Sequence, residues 1–103
     1  METRLSRNGV PIRLTDERWT HITSRHPEMT DCREKVLETI ADPDFIQQGD
    51  LGELLAVRDY GDELELGRVV VVAYREVAAN DGFILTAYVA DRPSPRRKAV
   101  WKR

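Results

Sequence analysis

The stretch from Leu66 to Val77 constrains this chain more than any other. It reads Leu-Gly-Arg-Val-Val-Val-Val-Ala-Tyr-Arg-Glu-Val, and β-branched residues in such density favour a strand. Its apolar centre, Val69 to Tyr74, is the longest apolar run in the chain. That is strand length, far short of the roughly 20 residues that span a bilayer. Asn80-Asp81-Gly82 is a hairpin turn signal, so Gly82 to Ala90 is expected to return antiparallel beside the valine strand. Phe45 to Gln48, stopped at Gly49, and Glu53 to Tyr60, turned by Gly61-Asp62, supply two more strands. After Pro93 and Pro95, Ala99-Val100-Trp101 reads either as a short edge strand or as a tail that docks Trp101.

Helical signals lie upstream. Asp16 to Arg25 is predicted as a helix with Thr15 as N-cap, and Asp16 and Glu17 suit the positive end of its dipole. Leu14 and Trp19 occupy the two positions of a hydrophobic staple. Trp19, Ile22 and His26 share one face, and Pro27 disfavours helical geometry at His26 and closes the helix. A second helix is predicted to begin near Thr30 or Asp31, with Asp31 and Glu34 as a capping box. Val36, Leu37, Ile40 and Ala41 form its apolar stripe, and Asp42-Pro43 ends it. Helices followed by strands on short turns imply an α+β fold: two N-terminal helices packed on one face of a four-stranded antiparallel sheet, the other face open. A length of 103 residues suits one domain.

With 41% apolar and 33% charged residues, the expected core is compact and the surface dense in charge. Cys32 has no internal partner for a disulfide, and the Met-Glu-Thr-Arg start carries no apolar leader, so the expected location is the cytoplasm, away from membranes. The net charge of −2 is unevenly spread. Residues 15–91 carry 17 acids against 7 bases, while Arg92 to Arg103 holds 6 bases and no acid. Arg96, Arg97 and Lys98 in that basic tail, with Arg75, are candidates for RNA phosphates; the same charges can instead pair with the body's own acids.

Period two along the strands sorts residues by face. On 82–90, Phe83, Leu85, Ala87 and Val89 are expected to meet the helices, leaving Thr86 and Tyr88 side by side on the opposite face. If Leu55 and Val57 also face the core, Arg58 and Tyr60 turn outward; the alternation leaves open whether Tyr74 or Arg75 does. A face with Arg58, Thr86, Tyr88 and Arg75 offers cationic and hydroxyl donors for a phosphate and rings for a base. The alternative is a solvated sheet face, where Thr and Tyr are simply good strand formers. His26 sits at a helix C-terminus, where it can serve as general acid or base or merely cap carbonyls. His21, about 200° from Trp19 around the helix, is expected in solvent. No metal is called for: His21 and His26 are not spaced i, i+4, and there is one cysteine.

Taken in order, Trp19…Ile22…Arg25-His26-Pro27-Glu28, then Ile40-Ala41-Asp42-Pro43-Asp44-Phe45-Ile46, Arg58-Asp59-Tyr60, the valine strand and Ile84-Leu85-Thr86-Ala87-Tyr88 resemble the phage-associated branch of the barnase–EndoU–colicin–RelE group of nucleases. The resemblance covers roughly residues 14–90. It implies the same helices-on-sheet fold and a cofactor-free, metal-independent ribonuclease in which the 2′-hydroxyl attacks the adjacent phosphate. It selects His26, Arg58, Thr86 and Tyr88 as the catalytic set. His26 would exchange protons, Arg58 would stabilise phosphoryl charge, Thr86 would bond the phosphate and Tyr88 would place a base or sugar. RNA is the implied partner, with a cognate inhibitor protein if the chain is a toxin or phage-related effector. Two other readings use the same fold: a non-catalytic RNA-binding module, and an interaction domain that is a monomer or a homodimer paired through a sheet edge.

Overall fold

The valine run becomes the centre of the sheet because it can be buried on both sides. Every residue from Val69 to Tyr74 is buried, the pattern of a strand covered on two faces. The computed structural model describes all of residues 1–103, which form seven strands and two helices. The elements are β1 (Glu2–Leu5), β2 (Pro11–Leu14), α1 (Asp16–Arg25), α2 (Arg33–Ala41), β3 (Phe45–Gln48), β4 (Leu54–Asp59), β5 (Val69–Ala78), β6 (Asp81–Ala90) and β7 (Ala99–Lys102). The sheet order is β1-β2-β6-β5-β4-β3-β7. All neighbours are antiparallel except β2 and β6, which run parallel through Ile12↔Gly82 and Arg13↔Phe83.

The α+β class therefore holds, but the four-stranded antiparallel sheet is corrected to a seven-stranded mixed one. The four expected strands are its centre, β3 to β6. The tail adds β7 against β3, and the N-terminal 14 residues add the β1–β2 hairpin. That hairpin carries a period-two signal, since Val10, Ile12 and Leu14 are all buried. Pro11 on the strand and the interspersed arginines hide it. A short connection from β2 into α1 at Thr15 makes the crossover back to the sheet.

Side-chain parity departs from expectation at two places. On β4 the residues facing the helices are Leu54 and Ala56, while Leu55 and Val57 belong to a second apolar cluster on the opposite, outer face. Both sets are apolar, so alternation alone did not distinguish them. On β6 the register to β5 shifts between Ala73↔Thr86 and Tyr74↔Ile84, leaving Leu85 as an extra residue. This β-bulge reverses the phase: Ile84, Ala87 and Val89 face the helices, and Leu85 and Tyr88 face outward. Of β5's Tyr74 and Arg75, Tyr74 lies in the helix-side core. Burial pushes its phenol above the usual range, as expected for an ionisable hydroxyl removed from water.

The helices behave largely as their sequences dictate. Thr15 caps α1 by accepting from the Arg18 N–H at 3.0 Å. The expected capping box is absent: α2 starts at Arg33, after a single 3-10 turn at Pro27–Met29, and its N-cap Cys32 makes no side-chain cap bond. The Pro27 turn uses up the residues that an earlier start would need. Ile22, Val36, Leu37 and Ile40 join Ile12, Leu14, Val70, Val72 and Ile84 in one cluster, and the sheet curls around α2 to enclose it. The curl brings the Arg7 guanidinium, in the β1–β2 turn, over the ring of Trp101 on β7 at 4.9 Å, though these lie at opposite ends of the strand order.

The outer face is not open, contrary to expectation. Residues 91–98 must cross from β6 past β5, β4 and β3 to reach β7. Gln47, paired with Leu55 and buried, donates Nε2 to Ser94 O at 2.9 Å and Arg97 O at 3.4 Å. The crossing strap thus lies over the cluster of Leu55, Val57, Val69, Val71 and Ala73. No helix is long and apolar enough to cross a membrane.

Candidate functional site

The sheet leaves one strand edge for a helix end to reach. β2 pairs β6 only at Gly82 and Phe83, so from Ile84 to Ala90 no strand lies on that side of β6. α1 and the Pro27 turn pack there instead. Arg18, in the first turn of α1, donates Nη1 to the carbonyl of the bulged Leu85 at 3.3 Å. At the other end of the helix, the His26 N–H closes α1 onto Ile22 O at 2.8 Å, and its carbonyl accepts from Met29 N at 2.9 Å. This fixes the backbone on both sides of the imidazole.

His26 meets Tyr88 around this edge. Their ring centroids lie 5.9 Å apart and the planes are tilted by 37°, within the range of packed aromatic pairs. The imidazole is partly open, 35% exposed, and its Nδ1 is 3.8 Å from Glu28 Oε2. That separation is an ion-pair distance, longer than a hydrogen bond. Thr86, paired with Ala73 two rows from Val71 and Tyr88, shares Tyr88's outer face. His21 is exposed on α1, as expected.

Arg58 does not join them. It pairs with Val70, so it projects to the helix face with Leu54 and Ala56, across the sheet from Thr86 and Tyr88. There it ties β4 to the end of α2. Nη1 donates to Asp42 O at 2.7 Å and Asp42 Oδ2 at 2.8 Å, Nε lies 3.6 Å from Glu38 Oε1, and the guanidinium sits 5.4 Å over the Tyr60 ring. The C-terminal Arg103 also binds Asp42. Hydrogen bonds from Arg58 and then Arg103 hold the Asp42 carboxyl below the usual carboxylate range. Burial, reinforced by the hydroxyl's 2.6 Å bond to Glu38, raises the Tyr60 phenol. These are the marks of a structural latch. The outward placement expected for Arg58 followed from the wrong parity on β4.

The other cations gather at the far end of the outer face. Arg75 donates Nη2 to Leu51 O at 3.0 Å, and Arg97 pairs with Asp50 at 3.4 Å. Arg96 and Lys98 flank Arg97 on the strap beside a cavity of about 470 Å³. The tail therefore divides: Arg97 and Arg103 pair with the body's acids, whereas Arg96 and Lys98 do not.

Two residues at this edge were not singled out from sequence: Glu28 beside His26, and Arg18 at the opposite end of α1. Glu28 stands inside the His-Pro-Glu tripeptide, and the turn that Pro27 forces brings its carboxylate back to the ring. Arg18 gives only a weak signal, being one arginine on an amphipathic helix; its relevance depends on the β6 bulge, which alternation does not reveal. No three His, Cys, Asp or Glu side chains group as metal ligands. Comparison with protein-family models, curated proteins and solved structures finds no match to this chain.

Proposed function

We propose that the β6 edge is an RNA-cleaving site in which His26 is the proton-exchanging group and Tyr88 and Thr86 hold the substrate. The observation that carries this reading is the meeting of His26 and Tyr88 at 5.9 Å, reached from separate elements around a strand edge that β2 leaves uncovered. A partly exposed imidazole with a carboxylate 3.8 Å from Nδ1 and a tyrosine ring beside it suits a ribose flanked by a base. The order of the sequence motifs supports the same chemistry.

In that reaction the 2′-oxygen forms a bond to phosphorus and the P–O5′ bond breaks. His26 Nε2 takes the proton of the 2′-hydroxyl and returns one to the departing 5′-oxygen, leaving a 2′,3′-cyclic phosphate and a 5′-hydroxyl. Glu28 is a positioning residue that orients the ring. Thr86 donates to a phosphoryl oxygen. Arg18, held at the bulge beside Thr86, takes the charge-stabilising role that sequence motifs gave to Arg58. General acid–base catalysis of this kind contributes about 10²–10⁴-fold.

The test is incubation of a mixed RNA pool with the full chain in EDTA. Wild type and His21→Ala are expected to leave cyclic phosphate ends, and His26→Ala to leave the RNA intact. Intact RNA with wild type under all metal-free conditions refutes the catalytic reading. One observation favours a second reading, RNA binding without turnover: Arg58, the cation of the motif, is committed to Asp42. Salt-sensitive binding with no cyclic ends would identify it.

A further inference from the structure

We infer that the strap cavity is a second, non-catalytic phosphate site, taking the backbone of a single-stranded RNA at a distance from His26. The inference rests on RNA being the ligand, as proposed above, but not on cleavage.

Three consecutive cations, Arg96, Arg97 and Lys98, border a cavity whose lining contains no apolar residue and one acid, Asp50. That acid is already engaged, since Arg97 holds Asp50 at 3.4 Å. The neighbouring carboxylate, Glu53, accepts from Leu51 N at 2.9 Å through Oε1 and keeps its charge, which Arg75, bound at the same turn to Leu51 O, offsets. The bond from Leu51 N, with weaker help from Arg75 and Arg97, holds Glu53 below the usual carboxylate range. Arg96 and Lys98 are exposed and pair with nothing in the chain. A local excess of positive charge thus faces solvent on a body whose middle is acidic.

The backbone that presents these cations is fixed before any ligand arrives. Gln47 holds the carbonyls of Ser94 and Arg97, Gln48 N donates to Lys98 O at 2.9 Å, and Pro93 and Pro95 stiffen the approach. A solvated tail would need none of this, and such preorganisation lowers the ordering cost of binding. Tyr88 on β6 and the cavity at the end of β3 both lie on the outer side, three strand spacings apart, about 14 Å at roughly 4.8 Å each. A dinucleotide cannot bridge them, whereas single-strand sites of about 4–16 nucleotides are ordinary.

The experiment uses a labelled oligouridylate of about 12 nucleotides, within that ordinary site range, read by fluorescence anisotropy against His26→Ala protein so that no probe is cut. Arg96→Ala/Lys98→Ala is compared with a control that removes two charges elsewhere, Arg4→Ala/Arg68→Ala. Loss of two phosphate contacts should lower the salt slope by about 1.4, so that the variant weakens about 7-fold less than its parent between 50 and 200 mM salt. Cleavage of a dinucleotide by the same double variant in a His26 background should equal wild type. An unchanged slope, an equal change in the control, or no binding at low salt overturns the inference. Failure of dinucleotide cleavage by wild type, with the salt effect intact, counts against the catalytic proposal alone.

Discussion

Gly82→Ala should destabilise this protein out of proportion to its size, because Gly82 is where the unanticipated parallel strand presses on the sheet. A Cβ at that position would lie 2.5 Å from Ile12 Cδ1 and 2.6 Å from Arg75 O. One contact is the end of a side chain and can yield; the other is backbone and resists. Overpacking of this kind costs about 1–3 kcal/mol, which for a chain of this length lowers Tm by about 5 °C per kcal/mol. Ile12→Val, which removes the yielding atom from a fully buried side chain, should alone cost about 0.5–1.5 kcal/mol. Together the two changes should cost less than their sum, by at least about 0.5 kcal/mol, as contacting sites do. Urea unfolding of the four proteins measures the cycle. A neutral Gly82→Ala, or strict additivity, would mean that β2 does not lie against β6 in this register.

Other consequences follow from the same contacts. Tyr88→Ala should weaken oligouridylate binding by about 1–3 kcal/mol, the worth of one base–aromatic stack, measurable by anisotropy; unchanged affinity would take Tyr88 out of the site. Arg58→Gln should lower Tm while leaving RNA affinity and cleavage intact, and loss of cleavage at unchanged Tm would return Arg58 to the chemistry. Asp42's depressed carboxyl stabilises the fold at pH above its unfolded value near 4 and ceases to do so as pH falls through the lower folded value. Asp42→Asn should therefore flatten the acid loss of stability in circular-dichroism titrations, and an unaltered profile would contradict the latch. Desolvation raises the Cys32 thiol, so iodoacetamide should react more slowly than with an unstructured peptide thiol at pH 7.5, an equal rate being the contrary result.

The parts of the fold visible from sequence are those with a single strong local signal. Thr15, the valine run and Asp42-Pro43 each act within a few residues, and α1, β5 and the end of α2 fall where they indicate. Strand parity was legible only where one side of a strand is polar. On β4 both sides are apolar, and which of Leu54 or Leu55 meets a helix depends on what covers the outer face. The cover is the strap of residues 91–98, a non-local feature set by Gln47. The bulge at Leu85 is likewise invisible to alternation, because Ile84, Leu85 and Ala87 are all acceptable on an apolar face. Of the candidate site, the His26–Tyr88 pair was accessible through motif order, and Thr86 shares its face. Arg58 followed the β4 parity to the wrong side of the sheet.

The central functional claim is that His26 and Tyr88 form one site. A single-stranded DNA oligonucleotide, lacking the attacking hydroxyl and so uncleavable, can be titrated into the protein while the His26 Cε1–H and Tyr88 ring protons are followed by NMR. Both sets should shift along one binding curve with a common Kd. Stationary signals at saturation, or movement of Tyr88 without His26, would contradict the claim.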